Sequence, residues 1–158
     1  MREKTCCFTG HRRMTRDEQR LCAERLDAEV RALIAEGICY FGVGGAVGFD
    51  ALAAETVLRL RREFPHIRLI VVLACADQAE RWNAFDRRRH EAILARADKV
   101  VCLQERYADG CMQARNRHLV DHSGVCVSYL TDYDGGTGYT VGYARRQGVR
   151  VVSLAENA

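Results

Sequence analysis

The chain has 158 residues, 48% of them apolar, and its 24 basic against 21 acidic residues leave a net charge of +3. That size and apolar content suit one domain with a continuous core across 1–158, and so weak a charge does not by itself announce a nucleic-acid-binding protein. The charged opening (Arg2, Glu3, Lys4) resembles no leader, and no apolar stretch approaches the roughly 20 residues of a membrane helix, so a cytoplasmic protein is expected.

Short apolar runs alternate with helical periodicity along the whole sequence, the pattern of a parallel sheet covered by helices. The first strand is expected at 5–9. A capping box, Thr15-Arg16-Asp17-Glu18, opens the first helix, which carries Leu21, Leu26, Val30, Leu33 and Ile34 on one stripe before Gly37 ends it. A second strand at 39–43 leads through a glycine-rich turn into a helix from about Phe49 to Phe64, stopped by the only proline, Pro65. The third strand, 67–74, is apolar on both faces, as a buried parallel strand must be. Asp77, with Glu80 three residues on, makes a second capping box and opens the third helix; Trp82, Phe85 and Ile93 are its core-facing residues and Arg87-Arg88-Arg89 its solvated face.

A fourth strand at 99–103 precedes a helix from about Met112 to His122, and a fifth at 125–130 precedes a helix from near Thr137 to Gln147, closed by Gly148. The last strand is expected at 149–154. Five helices between six strands predict a Rossmann-like, doubly wound α/β fold: a mainly parallel six-stranded sheet with helices on both faces.

The eight cysteines lie mostly within apolar runs and form no C-x-x-C pair, which reads as buried free thiols and no metal site. His118 and His122 have a metal-compatible spacing of four but lack a third ligand, which favours a solvated or capping role. Lys4 and Lys99 are the only lysines; the arginine bias suits bidentate phosphate contacts, or equally a genomic composition.

In sheets of this kind ligands bind where the strands end in carboxyl-side loops, and the unusual residues gather there. Gly44, Gly45 and Gly48 follow the second strand, where glycines let a backbone approach a phosphate and a helix offers free amides with the positive end of its dipole. The loop fits neither the dinucleotide fingerprint nor the Walker pattern. A second glycine cluster, Gly135-Gly136-Thr137-Gly138, again separates a strand from a helix, and the two together favour phosphate binding over paired structural turns. After the first strand, Gly10 precedes His11 and Arg12. Arg12 can offer a bidentate fork to phosphate, while His11 either bonds a ligand or fixes the turn. Arg115 is a second phosphate or ribose contact, Asn116 donates an amide or caps its helix, and Asp50 serves the helix dipole or accepts from a ribose hydroxyl.

Six motifs in order, Thr9-Gly10-His11-Arg12, Gly44-Gly45-Ala46-Val47-Gly48-Phe49-Asp50, Gln78-Ala79-Glu80-Arg81-Trp82, Tyr107 with Gly110-Cys111-Met112, Arg115-Asn116 and Gly135-Gly136-Thr137, span nearly the whole chain. On these residues the chain resembles the SLOG superfamily of DprA-like and LOG-like proteins, and within it the small bacterial YpsA-like branch. The resemblance implies a pocket for a nucleotide-derived ligand, ADP-ribose-like or related, and a sensing role in stress signalling. It also implies that Trp82, otherwise a core aromatic, stands near the pocket to stack on a base. Homodimers are expected from such relatives, and no cofactor is required.

Two alternatives stand beside sensing. LOG-type phosphoribohydrolases carry an Arg-Lys pair and a glutamate-bearing glycine motif; here Asn116 follows Arg115, and Gly142 occupies the glutamate position, so hydrolysis would need another carboxylate such as Asp50, Asp121 or Asp134. A DprA-type single-stranded DNA binder would use Arg59, Arg61, Arg62, Arg81, Arg87, Arg88 and Arg89, with Trp82 and Phe85 interleaved.

Overall fold

The computed structural model describes residues 1–131 and 136–155. A short 3-10 turn (Arg2–Lys4) leads into β1 (Thr5–Gly10), α1 (Arg16–Ala35), β2 (Tyr40–Val43), α2 (Phe49–Leu60), β3 (Arg68–Leu73), α3 (Ala84–Arg96), β4 (Lys99–Cys102), α4 (Cys111–Asp121), β5 (Val125–Tyr129), α5 (Gly136–Arg146) and β6 (Arg150–Ser153). All strand pairs are parallel, in the order β4-β3-β2-β1-β5-β6. The fold is the expected Rossmann-like α/β arrangement, with a sheet that is parallel throughout. No helix among the described residues is long and apolar enough to cross a membrane.

Strand alternation divides the core between the two faces of the sheet. Cys6 and Phe8 of β1, with Val125, Val127 and Tyr129 of β5, join the large cluster built with α1 and α2, to which Ile93 of α3 belongs. Cys7 and Cys126 point the other way, into a smaller cluster with Leu119 and Val120 of α4 and Ala144 of α5. The register sets Cys7 beside Cys126, both buried thiols as expected.

The first helix starts as its sequence predicts: Thr15 Oγ1 accepts from the Glu18 amide at 3.1 Å, and Glu18 Oε1 accepts from the Thr15 amide at 3.0 Å. Its buried stripe runs through Cys22, whereas Leu21, expected inside, is 41% exposed. The second helix stops at Leu60, before Phe64, because the chain tightens into turns ahead of Pro65. The largest correction concerns the third helix. It begins at Ala84 rather than Asp77, with Asn83 as its cap: Asn83 Oδ1 accepts from the Asp86 amide at 2.8 Å. Residues 75–82 instead form successive turns, Gln78 to Cys75, Glu80 to Asp77 and Trp82 to Ala79. Gln78 explains the difference, since its side chain accepts from the Ala74 amide at 2.9 Å and donates to the Gly45 carbonyl at 3.0 Å, spending on the glycine loop what a helix surface would leave free. Phe85 is consequently not a core residue; it is 67% exposed.

Candidate functional site

The chain steps outward from β1 through β2 and β3 to β4, then returns to place β5 on the other side of β1. The loops leaving β1 and β5 therefore part toward opposite faces of the sheet, opening a crevice at their carboxyl ends. A cleft of about 390 Å³ occupies that position, within the size range of small-molecule sites. Its walls bring together Gly10, His11 and Arg12 from the β1 loop, Asp50 from α2, Arg115 and Asn116 from α4, and Gly136 and Thr137 from the first turn of α5. Phe8, Thr9, Ala46 and Met112 also line it. Thr9 and Ala46 lie inside the motifs already singled out, whereas Phe8 shows in sequence only as a core strand residue.

Arg115 is the buried centre of this wall, 5% exposed. It donates to the Gly44 carbonyl, to Asn116 Oδ1 at 2.8 Å and to Met112 Sδ at 3.7 Å. Its guanidinium packs so closely on the glycine loop that a Cβ on Gly44 would stand 2.6 Å from Cζ. Asp50, 8% exposed, accepts from the Ala46 amide at 3.2 Å. Burial raises the Asp50 carboxyl above its usual value, opposed by Arg115, the Ala46 hydrogen bond and Arg12. Burial likewise lowers Arg115 from the usual arginine value, with Asp50 acting in the opposite sense.

The glycine loop thus spends its groups internally. Gly44 and Gly45 are buried, Ala46 donates to Asp50, and the Phe49 amide donates to the His11 carbonyl at 3.1 Å. Gly48 has φ +76°, and a Cβ there would lie 2.3 Å from the Arg12 carbonyl oxygen, so a side chain fails on both counts. Of the loop's expected contacts, Gly44 sits behind Arg115, while Gly45 and Gly48 face away from the cleft. Trp82 is also elsewhere: it lies edge-on to His90, centroids 5.0 Å apart, over a slot of about 10 Å³ on the other side of the loop. Gly135 and Asp134 fall outside the described residues.

The groups still open to a ligand lie at the cleft's rim. Arg12 is exposed and forms no hydrogen bond or ion pair among the described residues. Gly136 and Thr137 present the start of α5, where backbone amides lack partners within the helix. Asn116 uses its oxygen on Arg115, which leaves its amide nitrogen for the cleft. His11 is committed to the turn: Nε2 accepts from the Thr131 amide at 2.9 Å, and the ring lies edge-on to Tyr129.

Outside the cleft, His118 and His122 stack at 4.2 Å, and His122 Nδ1 lies 2.7 Å from the His118 carbonyl. Among the described residues no cluster of histidine, cysteine or acidic groups is able to hold a metal. Gly142 has Arg146 as its neighbour, and Asp121 accepts from Tyr143 at 2.6 Å. Of the seven arginines considered for DNA, Arg59 pairs with Asp27, Arg61 with Asp98 and Arg89 with Glu55.

Residues 7–150 match the family described as the YspA SLOG family. The UPF0398 protein BH1768 of Halalkalibacterium halodurans is 33% identical over 124 residues, covering 77% of this chain and 66% of the relative. The UPF0398 protein YpsA of Bacillus subtilis is 27% identical over 119 residues, covering 73% of this chain and 66% of the relative. The chain thus spans slightly under two thirds of these relatives' length. Among solved structures, DNA processing protein A from Helicobacter pylori, described for its single-stranded DNA binding mode, superposes with a TM-score of 0.69 at 20% identity, covering 94% of this chain and 64% of that one. The corresponding protein from Streptococcus pneumoniae gives 0.67 at 15% identity, covering 96% and 50%. At such identities the likeness carries the fold alone.

Proposed function

We propose, for a chain that belongs to the YspA SLOG family, that the cleft between β1 and β5 binds a phosphate-bearing nucleotide derivative, ADP-ribose or a related molecule, in a sensing rather than a catalytic role. One observation carries the reading: Arg12, exposed and without a hydrogen bond or ion pair among the described residues, and the first turn of α5 face the same cleft at the switch point of a parallel sheet. Arg12 and the α5 amides hold phosphate, the Asn116 amide donates to a ribose or base oxygen, and Met112 offers a polarizable surface to a base. Arg115 and Asp50 shape the wall from behind.

Calorimetric titration with AMP, ADP and ADP-ribose tests this. Arg12→Ala leaves the fold intact, because the exposed side chain has no partner among the described residues, and weakens ADP by roughly 10- to 150-fold, the equivalent of a lost charge-assisted hydrogen bond of about 1.5–3 kcal/mol. No binding of any of the three by the parent protein, or equal affinity in parent and variant, overturns the proposal.

A further inference from the structure

The surface that begins in the cleft does not end at Arg12. The same arginine also lines a second groove, of about 310 Å³, with Arg13, Met14, Val47, Gly48 and Phe85. Loop 46–48 is the ridge between the two hollows. Phe85 stands in the first turn of α3, 67% exposed beside exposed arginines and outside the three apolar clusters of the core. Arg12 and Arg13 form no hydrogen bond or ion pair among the described residues. Arg89, deeper in the groove, is held by Glu55 at 2.8 Å and is not available in the same way. Asp86, the acidic group of this groove, accepts from Asn83 Nδ2 at 3.0 Å.

We infer that the groove is the second half of the ligand site and that the ligand is a diphosphate-bridged dinucleoside. The inference rests on the reading of the cleft as a nucleotide site. One nucleoside occupies the cleft, the diphosphate crosses the ridge along Arg12 and Arg13, and the second nucleoside lies in the groove with its base on Phe85. The charges agree with this order. Two guanidinium groups without a hydrogen bond or ion pair among the described residues face the two negative charges of the bridge, while Asp86, next to Phe85 in the groove wall, repels phosphate and accepts from the hydroxyls of the ribose. Each hollow alone falls near the lower end of the roughly 300–1,000 Å³ range of small-molecule sites, a size suited to one nucleoside each.

Titration of the full chain with ADP and with diadenosine diphosphate tests the inference. The parent protein binds the dinucleoside at least about tenfold tighter than ADP, the scale of one base stacked on an aromatic ring. Phe85→Ala removes that advantage and leaves ADP affinity unchanged; Phe85→Tyr keeps it. Equal affinity of the parent for both compounds overturns the two-lobed site while leaving the cleft standing. An advantage that survives Phe85→Ala overturns it as well, as does tighter binding of a thymidine oligonucleotide than of the dinucleoside. Failure of both compounds to bind strikes at the cleft itself.

Discussion

Replacing Arg115 by methionine separates the structural part of this site from its ligand-binding part. Methionine fills much of the volume but carries no charge. The Gly44 carbonyl keeps a donor, Gln78 Nε2 at 3.2 Å, and Asn116, half-buried, reaches water, so neither is orphaned. The loss concentrates on Asp50, which stays buried without the cation that most favours its ionised form. Breaking a buried charge pair costs about 3–5 kcal/mol, and the lower end applies here because Arg115 spends its hydrogen bonds on Gly44, Asn116 and Met112 while Asp50 accepts from Ala46, so the two act on each other through charge alone among the described residues. A loss of about 3 kcal/mol lowers Tm by roughly 6–12 °C in a domain of this size. Urea denaturation at neutral pH gives the value, and Arg115→Met combined with Asp50→Asn recovers most of it, because the uncompensated charge is gone. Strictly additive losses in the double variant would refute the coupling on which the buried wall rests.

Asp50→Asn alone changes the pH dependence of stability. The native carboxyl has a raised pKa, so the native state holds its proton longer than the unfolded chain, and wild-type stability falls relative to the non-titrating variant as pH rises from the unfolded value near 3.8 through the raised native one; parallel stability curves across that window would contradict the assignment. Thr15→Ala removes the capping hydrogen bond to Glu18 and costs about 1 kcal/mol by thermal melting, with nucleotide affinity untouched. The purified protein releases little or no free base from nucleoside monophosphates, since Gly142 offers no carboxylate and general acid–base assistance is worth about 10²–10⁴-fold; base release lost on Asp50→Asn, with binding retained, would turn the sensor into an enzyme.

The element order and the loops that form the cleft were legible because period-two and period-3.6 patterns alternate cleanly, and because a parallel sheet forces its connecting loops to one edge. The start of α3 was not. Asp77 with Glu80 has the spacing of a capping box, but so local a pattern carries no sign that Gln78 between them is tied to the Ala74 amide and the Gly45 carbonyl. Asn83, the actual cap, is an equally good capping residue. The glycine loop shows the same limit from the other side. Its glycines mark close approach of the backbone to something, and that something is the chain's own Arg115 and the Arg12 carbonyl, which no local pattern distinguishes from a phosphate. Arg115 itself stood out as an arginine at a sheet edge; its burial depends on residues far away in sequence.

The most direct test is the structure of the complex with ADP. The account places a phosphate within hydrogen-bonding distance of the Arg12 guanidinium and the first-turn amides of α5, with the nucleoside in the cleft between β1 and β5. A phosphate seated on the amides of Gly44 to Gly48, or on the arginines of α2 and α3 with the cleft empty, would contradict it.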